Sequence, residues 1–172
     1  MAGDYPEGRG RVAIEAAGIP IEGVSIAGHE SFYKLPGFRT LLEFGRAPED
    51  VLGYATVCVS HGHLDHLHHE SLARLPKGKT ILVPDHYDRD IANFLAAEGF
   101  KVEILKYREW RRLHPGLEVL CIDNENQDAI LIARFGDALV INLNDSPSFG
   151  EEGFIAGLVK AHPNDQVFAL AL

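Results

Sequence analysis

The chain is short of positive charge. Its 172 residues carry 16 lysines and arginines against 25 aspartates and glutamates, a formal net charge of −9. A phosphate backbone is held by clustered cations, so this balance argues against a nucleic-acid partner, tRNA included. Cysteine is scarce, with only Cys58 and Cys121. Each falls in an apolar run, so the two read as buried reduced thiols of a cytoplasmic protein and not as a disulfide. No run approaches the ~20 apolar residues of a membrane span, and Met1 to Arg11 is polar and glycine-rich, unlike a secretory leader. Repeats, low-complexity tracts and interior linkers are absent. With 46% apolar residues, the expectation is one domain over 1–172 with a real core and no membrane partner.

Histidine is what the chain does have. Residues 60–69 read Ser-His-Gly-His-Leu-Asp-His-Leu-His-His, directly after the apolar run 55–59. His61 and His63 are two apart, so in extended chain they point to one side and can grip one cation together. Asp65 and His66 follow at once and can turn toward a second. Two-metal hydrolytic sites need that supply, with the ions about 3.5–4 Å apart. The plain alternative is a histidine-rich solvent loop that binds metal adventitiously. His68 and His69 read as helix-surface residues.

Short apolar or alternating runs bounded by Gly or Pro predict strands at 12–16, 24–27 and 39–44. A helical turn follows at 48–52, a buried strand at 55–59, and a helix at 67–75 stopped before Pro76. Next come a strand at 80–83, a helix capped by Asp88 and running to Glu98, and a strand at 102–105. Residues 108–112 form a charged loop holding Trp110, a binding lip or a residue packed under its own loop. Strands at 117–122, 129–135 and 138–143 follow, the last two joined by a Gly136-Asp137 hairpin. Ser148 and Glu151 make a capping box for a helix to about Ala161. The apolar strand 167–172 closes the pattern and needs a neighbour to pair with. Strands first, then alternation, then a hairpin give an α/β (α+β) class of mixed sheets covered by helices.

The H-x-H-x-D-H signature resembles the metallo-β-lactamase superfamily. Residues 21–45 are similar to the opening of the ribonuclease Z branch, and 80–146 to the lactonase and sialic-acid-hydroxylase-like branches. Val140-Ile141-Asn142-Leu143-Asn144-Asp145 resembles their strand-plus-aspartate motif. The resemblance implies an αββα sandwich and one or two divalent ions, zinc first, with iron or manganese as alternatives. It implies a metal-dependent hydrolase of a small-molecule ester, lactone, thioester or phosphodiester, with Asp65 as ligand and proton shuttle. Two other readings stay open: a dinuclear iron redox enzyme on the same fold, and a non-catalytic metal-binding module that works with a partner chain.

Two of the family's histidines have no counterpart. Asp145 stands at the bridging-aspartate position, or else turns the chain before Ser146-Pro147. Where the third histidine belongs, residues 123–128 are acidic. There Asp123 or Glu125 can substitute as a hard oxygen ligand, favouring iron, manganese or magnesium over zinc, or the stretch is only a polar turn. His114 lies at the wrong end of its strand, and His162 suits a helix carboxyl end. The family's closing segment has no counterpart in this sequence, which leaves a truncated chain, a natural half completed by a second polypeptide, or a compact variant that forms a homodimer. His29, in the Gly-His that relatives carry, is a supporting donor, a substrate contact or an idle loop residue. Glu43, where relatives carry an early aspartate, either orients a metal ligand from behind or faces solvent.

Overall fold

Ala17 (φ 49°) and Gly18 (φ 73°) turn the chain back after β1 (Arg11–Ala16) into β2 (Ile19–Ile26). Two left-handed residues in a row match the twist of the strands they join. In this computed structural model, residues 10–26, 28–47, 49–123, 128–144 and 151–171 are described. After β2 come β3 (Glu30–Leu35), β4 (Thr40–Leu42), β5 (Thr56–Cys58), β6 (Thr80–Pro84) and β7 (Lys101–Leu105). These seven lie in sequence order in one sheet, antiparallel as far as β4 and parallel from β4 to β7. A second sheet, ordered β12-β11-β10-β9-β8, holds β8 (Arg111–His114), β9 (Leu117–Asp123), β10 (Ala129–Phe135), β11 (Ala138–Asn144) and β12 (Gln166–Ala171). Only its β11–β12 pair is parallel.

Alternation along the strands sorts side chains into three apolar clusters. Leu42, Cys58, Leu82 and Leu105 of the first sheet meet Leu117, Cys121, Leu131 and Val140 of the second. On the outer side of the first sheet, Val57, Ile81 and Val83 pack with Leu72 of α1 (His69–Arg74) and Leu95 of α2 (Asp90–Ala97). Outside the second sheet, Ile122, Ile130, Ile132 and Ile141 pack with Phe154, Ile155 and Leu158 of α3 (Glu152–Ala161). Helix, sheet, sheet, helix is the expected αββα layering, because strands buried on both faces need cover on both. Cys58 and Cys121 sit in the inter-sheet core, and burial pushes the Cys58 thiol up.

Three elements depart from the sequence expectation. β3 was not foreseen, since Phe32 and Tyr33 are buried side by side without alternation. β8 replaces part of the charged loop: Arg111 and Arg112 are exposed on an edge strand whose structure comes from pairing with β9. β12 pairs with β11 of its own chain, from Gln166 opposite Ala138 to Ala171 opposite Asn144, so this strand does not need a second polypeptide to find a neighbour. Ser148 lies outside the described residues. Trp110 is half-buried against the outer face of the second sheet, with the Arg134 guanidinium 5.9 Å from its ring centre.

Candidate metal centre

The histidine loop leaves the carboxyl end of β5 and is stitched to the continuation of β4. Glu43 N–H donates to Cys58 O (2.7 Å), Phe44 N–H to His66 O (2.8 Å) and His68 N–H to Phe44 O (2.9 Å). Ser31 N–H donates to Asp65 O (2.7 Å), and Gly45 N–H donates to Ser31 O (2.9 Å). The chains run so close here that a β-carbon on Gly45 would collide with the Asp65 carbonyl and the Ser31 backbone. His66 and Leu67 N–H both donate to His63 O, which closes the loop into a tight turn.

Glu43 is the hub behind this loop. Its backbone takes the left-handed conformation (φ 66°) and its side chain is fully buried. The carboxylate accepts from Ser60 N–H (3.1 Å) and from Asn142 Nδ2 of β11 (3.1 Å), and Oε2 lies 3.5 Å from His66 Nδ1. Burial opposes its charge, but the His66 side chain, the nearby His61 and the Ser60 N–H outweigh that and hold the carboxyl below its usual range. On its other side His66 places Nε2 3.4 Å from Asp65 Oδ2, which also accepts Gly28 N–H (2.8 Å). Glu43, His66 and Asp65 therefore form one buried line. A carboxylate on Nδ1 orients the ring so that Nε2 faces the other way, the arrangement that supports a ligating histidine.

His61 is buried beside His66, their ring centres 4.1 Å apart, and next to the exposed His63 at 4.6 Å. Ser60 Oγ lies 2.8 Å from His61 Nδ1, so Nε2 is the nitrogen His61 can offer a cation. Burial and the neighbouring His66 lower its pKa, against the opposing pull of Glu43 and Asp128. Neutral imidazole is the form that ligates. Ligand atoms of His61, His63 and Asp128 all lie within 4.8 Å of one another. Two imidazoles and a carboxylate at that separation fit a divalent ion.

Within the acidic stretch 123–128, the resemblance points to Asp123 and Glu125 as substitute ligands. Among the described residues, it is Asp128, the half-buried residue just before β10, that is brought to His61 and His63. Its one available signal was position, since ligands cluster at strand ends. Glu125 and Asp145 lie outside the described residues, as does the side chain of Asp123, which closes β9. His29 follows Gly28 and places Nε2 3.3 Å from an Arg46 nitrogen. His68 caps α1 at Ser71 N–H, and His69 stacks on Phe94 with ring centres 5.2 Å apart. His114 lies against Phe38, and His162 caps the carboxyl end of α3.

His86 was not singled out from sequence. It is buried just beyond β6, with Nε2 3.2 Å from Ser60 O and Nδ1 3.0 Å from the Tyr107 hydroxyl. A carbonyl only accepts, so Nε2 donates to it and Nδ1 accepts from the tyrosine. Ser60 is thus held at its carbonyl by His86 and at its N–H by Glu43, and so is the ring of His61 beside it.

No family model matches the chain. It is similar to the nuclear ribonuclease Z of Triticum aestivum, 35% identical over 60 residues, which cover 35% of this chain and 34% of that protein. It is also similar to a tRNase Z of Arabidopsis thaliana, 38% identical over 55 residues, 32% of this chain and 20% of that one. The matched segment thus spans at most about a third of the length of these curated relatives. Among solved structures, a possible metal-dependent hydrolase of Veillonella parvula aligns over 94% of this chain and 84% of its own, with TM-score 0.52 and 15% identity. An isothiocyanate hydrolase from Delia radicum gut bacteria aligns over 94% and 82%, with TM-score 0.51 and 15% identity. Its αββα layers and H-x-H-x-D-H loop match the fold and the motif that the resemblance to the metallo-β-lactamase superfamily implies.

These relatives correct one expectation. Excluding nucleic acid on the net charge of −9 does not stand, because the related proteins are ribonucleases by name. Net charge sums over the whole surface, whereas a phosphate backbone requires only a local set of cations. Among the described residues, no helix is long and apolar enough to cross a membrane.

Proposed function

We propose that the chain is a metal-dependent hydrolase acting at an ester-type bond: ester, lactone, thioester or phosphodiester. The observation that carries this reading is the braced loop, in which Glu43, His66 and Asp65 form a buried line beside the adjacent rings of His61 and His63. A divalent ion held there supplies Lewis acidity and lowers the pKa of water toward about 7. The protein's own part is to fix the donors. Ser60 and His86 hold the His61 ring, and Glu43 holds His66. Asp65, anchored through Oδ2 by Gly28 N–H, is the carboxylate that takes up a proton and passes it on. His63 and its neighbour Leu64 are exposed. Asp145, the residue after β11 in the sequence, would be a further carboxylate ligand of the same centre.

Kinship with ribonuclease Z favours a phosphodiester, RNA among the possible carriers. The test is a panel of an aryl phosphodiester, an aryl ester, a lactone, a thioester and a structured RNA. Each is assayed with the chain before and after removal of metal by a chelator. Metal-restored turnover of at least one substrate, lost in His63→Ala together with metal uptake, is the expected result. Turnover that survives both chelation and His63→Ala would overturn the reading.

A further inference from the structure

We propose that Asp128 is a metal ligand, closing with His61 and His63 a two-imidazole, one-carboxylate site suited to manganous or ferrous ion. The inference rests on the reading of the histidine loop as a metal site and says which ion class that site takes. Its basis is the mutual approach of the three ligand atoms to within 4.8 Å.

The donor set follows from the chain's own topology. His61 and His63 hang from the end of β5 in the first sheet. Asp128 enters from the second, one residue before β10, where Ala129 pairs with Asp123 of β9. No imidazole is present in 115–161, so the second sheet brings oxygen to this position where a third ring would bring nitrogen. A carboxylate is a hard anionic donor and an imidazole a borderline neutral one. Oxygen donors suit manganese, and two histidines with one carboxylate suit ferrous iron; the same set also holds zinc, so what the carboxylate does is shift the preference toward manganese and iron relative to a site with a third imidazole. The face is also open: His63 is exposed and Asp128 half-buried, which leaves room for further oxygen ligands from solvent or substrate.

Zinc outranks manganese in raw affinity at most nitrogen and oxygen sites, so the decisive quantity is the zinc-to-manganese affinity ratio and its change on substitution. The full chain is stripped of metal and dialysed against mixtures of Mn(II) and Zn(II), and bound ions are counted by mass spectrometry for the wild type, Asp128→Asn, Asp128→His, Asp128→Glu and His63→Ala. Asp128→Asn is expected to weaken Mn(II) binding at least about tenfold. Asp128→His is expected to raise the zinc-to-manganese ratio at least about tenfold, and Asp128→Glu to keep the wild-type ratio. With Co(II) as probe, the wild type should show the weak visible absorption of five or six ligands, and Asp128→His the stronger band of a tetrahedral site.

Melting curves identify any variant that fails to fold, and Asp128→Glu and Asp128→His then carry the test. Unchanged Mn(II) affinity in Asp128→Asn, or an unchanged ratio in Asp128→His, overturns the inference. If His63→Ala still abolishes uptake in that case, the reading of the histidine loop as a metal site stands and only the assignment of Asp128 falls. A wild-type chain that takes up neither ion overturns both.

Discussion

On the side of the seven-stranded sheet, the histidine loop is tied to β3 and to the continuation of β4 by a run of backbone hydrogen bonds, with a buried glutamate behind it. On the side of the five-stranded sheet, a half-buried aspartate stands before β10, and Asn142 reaches across to Glu43. The first side has little freedom: its rings are oriented by Ser60 and Glu43 and its backbone is pinned at Gly45. The second adds charge and donor type. The contrast separates two tasks that one site has to perform. On the proposed reading, rigid hydrogen bonding would decide where an ion sits, and the remaining donors which ion it is and how much charge it keeps.

Removing a ring from the rigid side should have the largest effect. His61→Ala is expected to weaken metal binding by more than about 100-fold, beyond what loss of a supporting group causes, as read by calorimetric titration of the stripped chain. Loss comparable to that of Asp128→Asn would mean that the two sides are equals.

Next is the backbone pin. Gly45→Ala drives a β-carbon into the Asp65 carbonyl and the Ser31 backbone, which must move. The cost should be about 3 kcal/mol, or a melting point lower by roughly 6–12 °C for a chain of this size. A variant that melts with the wild type would show that the loop yields easily and that rigidity is not what distinguishes this side.

Glu43→Gln keeps the shape but removes the charge facing His66 and sets an amide against Ser60 N–H and Asn142 Nδ2. We expect stability to fall by about 2 kcal/mol and metal affinity by about tenfold. Denaturant titration and metal competition measure the two separately. Loss of stability alone would make Glu43 a structural link between the sheets and nothing more.

The smallest effect belongs to Ser60→Ala, which removes the hydroxyl beside His61 Nδ1 but leaves the backbone contacts to Glu43 and His86. A cost near 1 kcal/mol and a few-fold weaker affinity are expected. An effect as large as that of Glu43→Gln would place the orientation of His61 in the hydroxyl and not in the backbone.

How much of this was legible in the sequence differs between the sides in the same way. The loop could be read directly, because His61, Gly62, His63, Leu64, Asp65 and His66 follow an apolar strand and their spacing alone suggests shared ligation. β10 could be read at its full length and β11 nearly so, since a Gly136-Asp137 turn joins two apolar runs. β3 and β8 could not, because one is buried without alternation and the other is a charged edge strand that exists by pairing with β9. Glu43 was visible as a residue but not as a buried one: the alternation around it allowed a solvent-facing reading, and the left-handed turn that buries it leaves no mark on neighbouring residues. His86 was silent, a lone histidine after a strand with nothing local to connect it to Ser60.

The sequence by itself determined the features whose cause lies within a few residues: the paired imidazoles, the period-two strands, the hairpin and the layered α/β class. Tertiary structure alone brought Asp128 to His61 and His63, joined Glu43 to Asn142 across 99 positions and set His86 behind Ser60 across 26. The physical reason is range. Side-chain direction along a strand repeats every two residues and can be read from neighbours, whereas the meeting of two sheets depends on how their faces pack, and no local spacing records that.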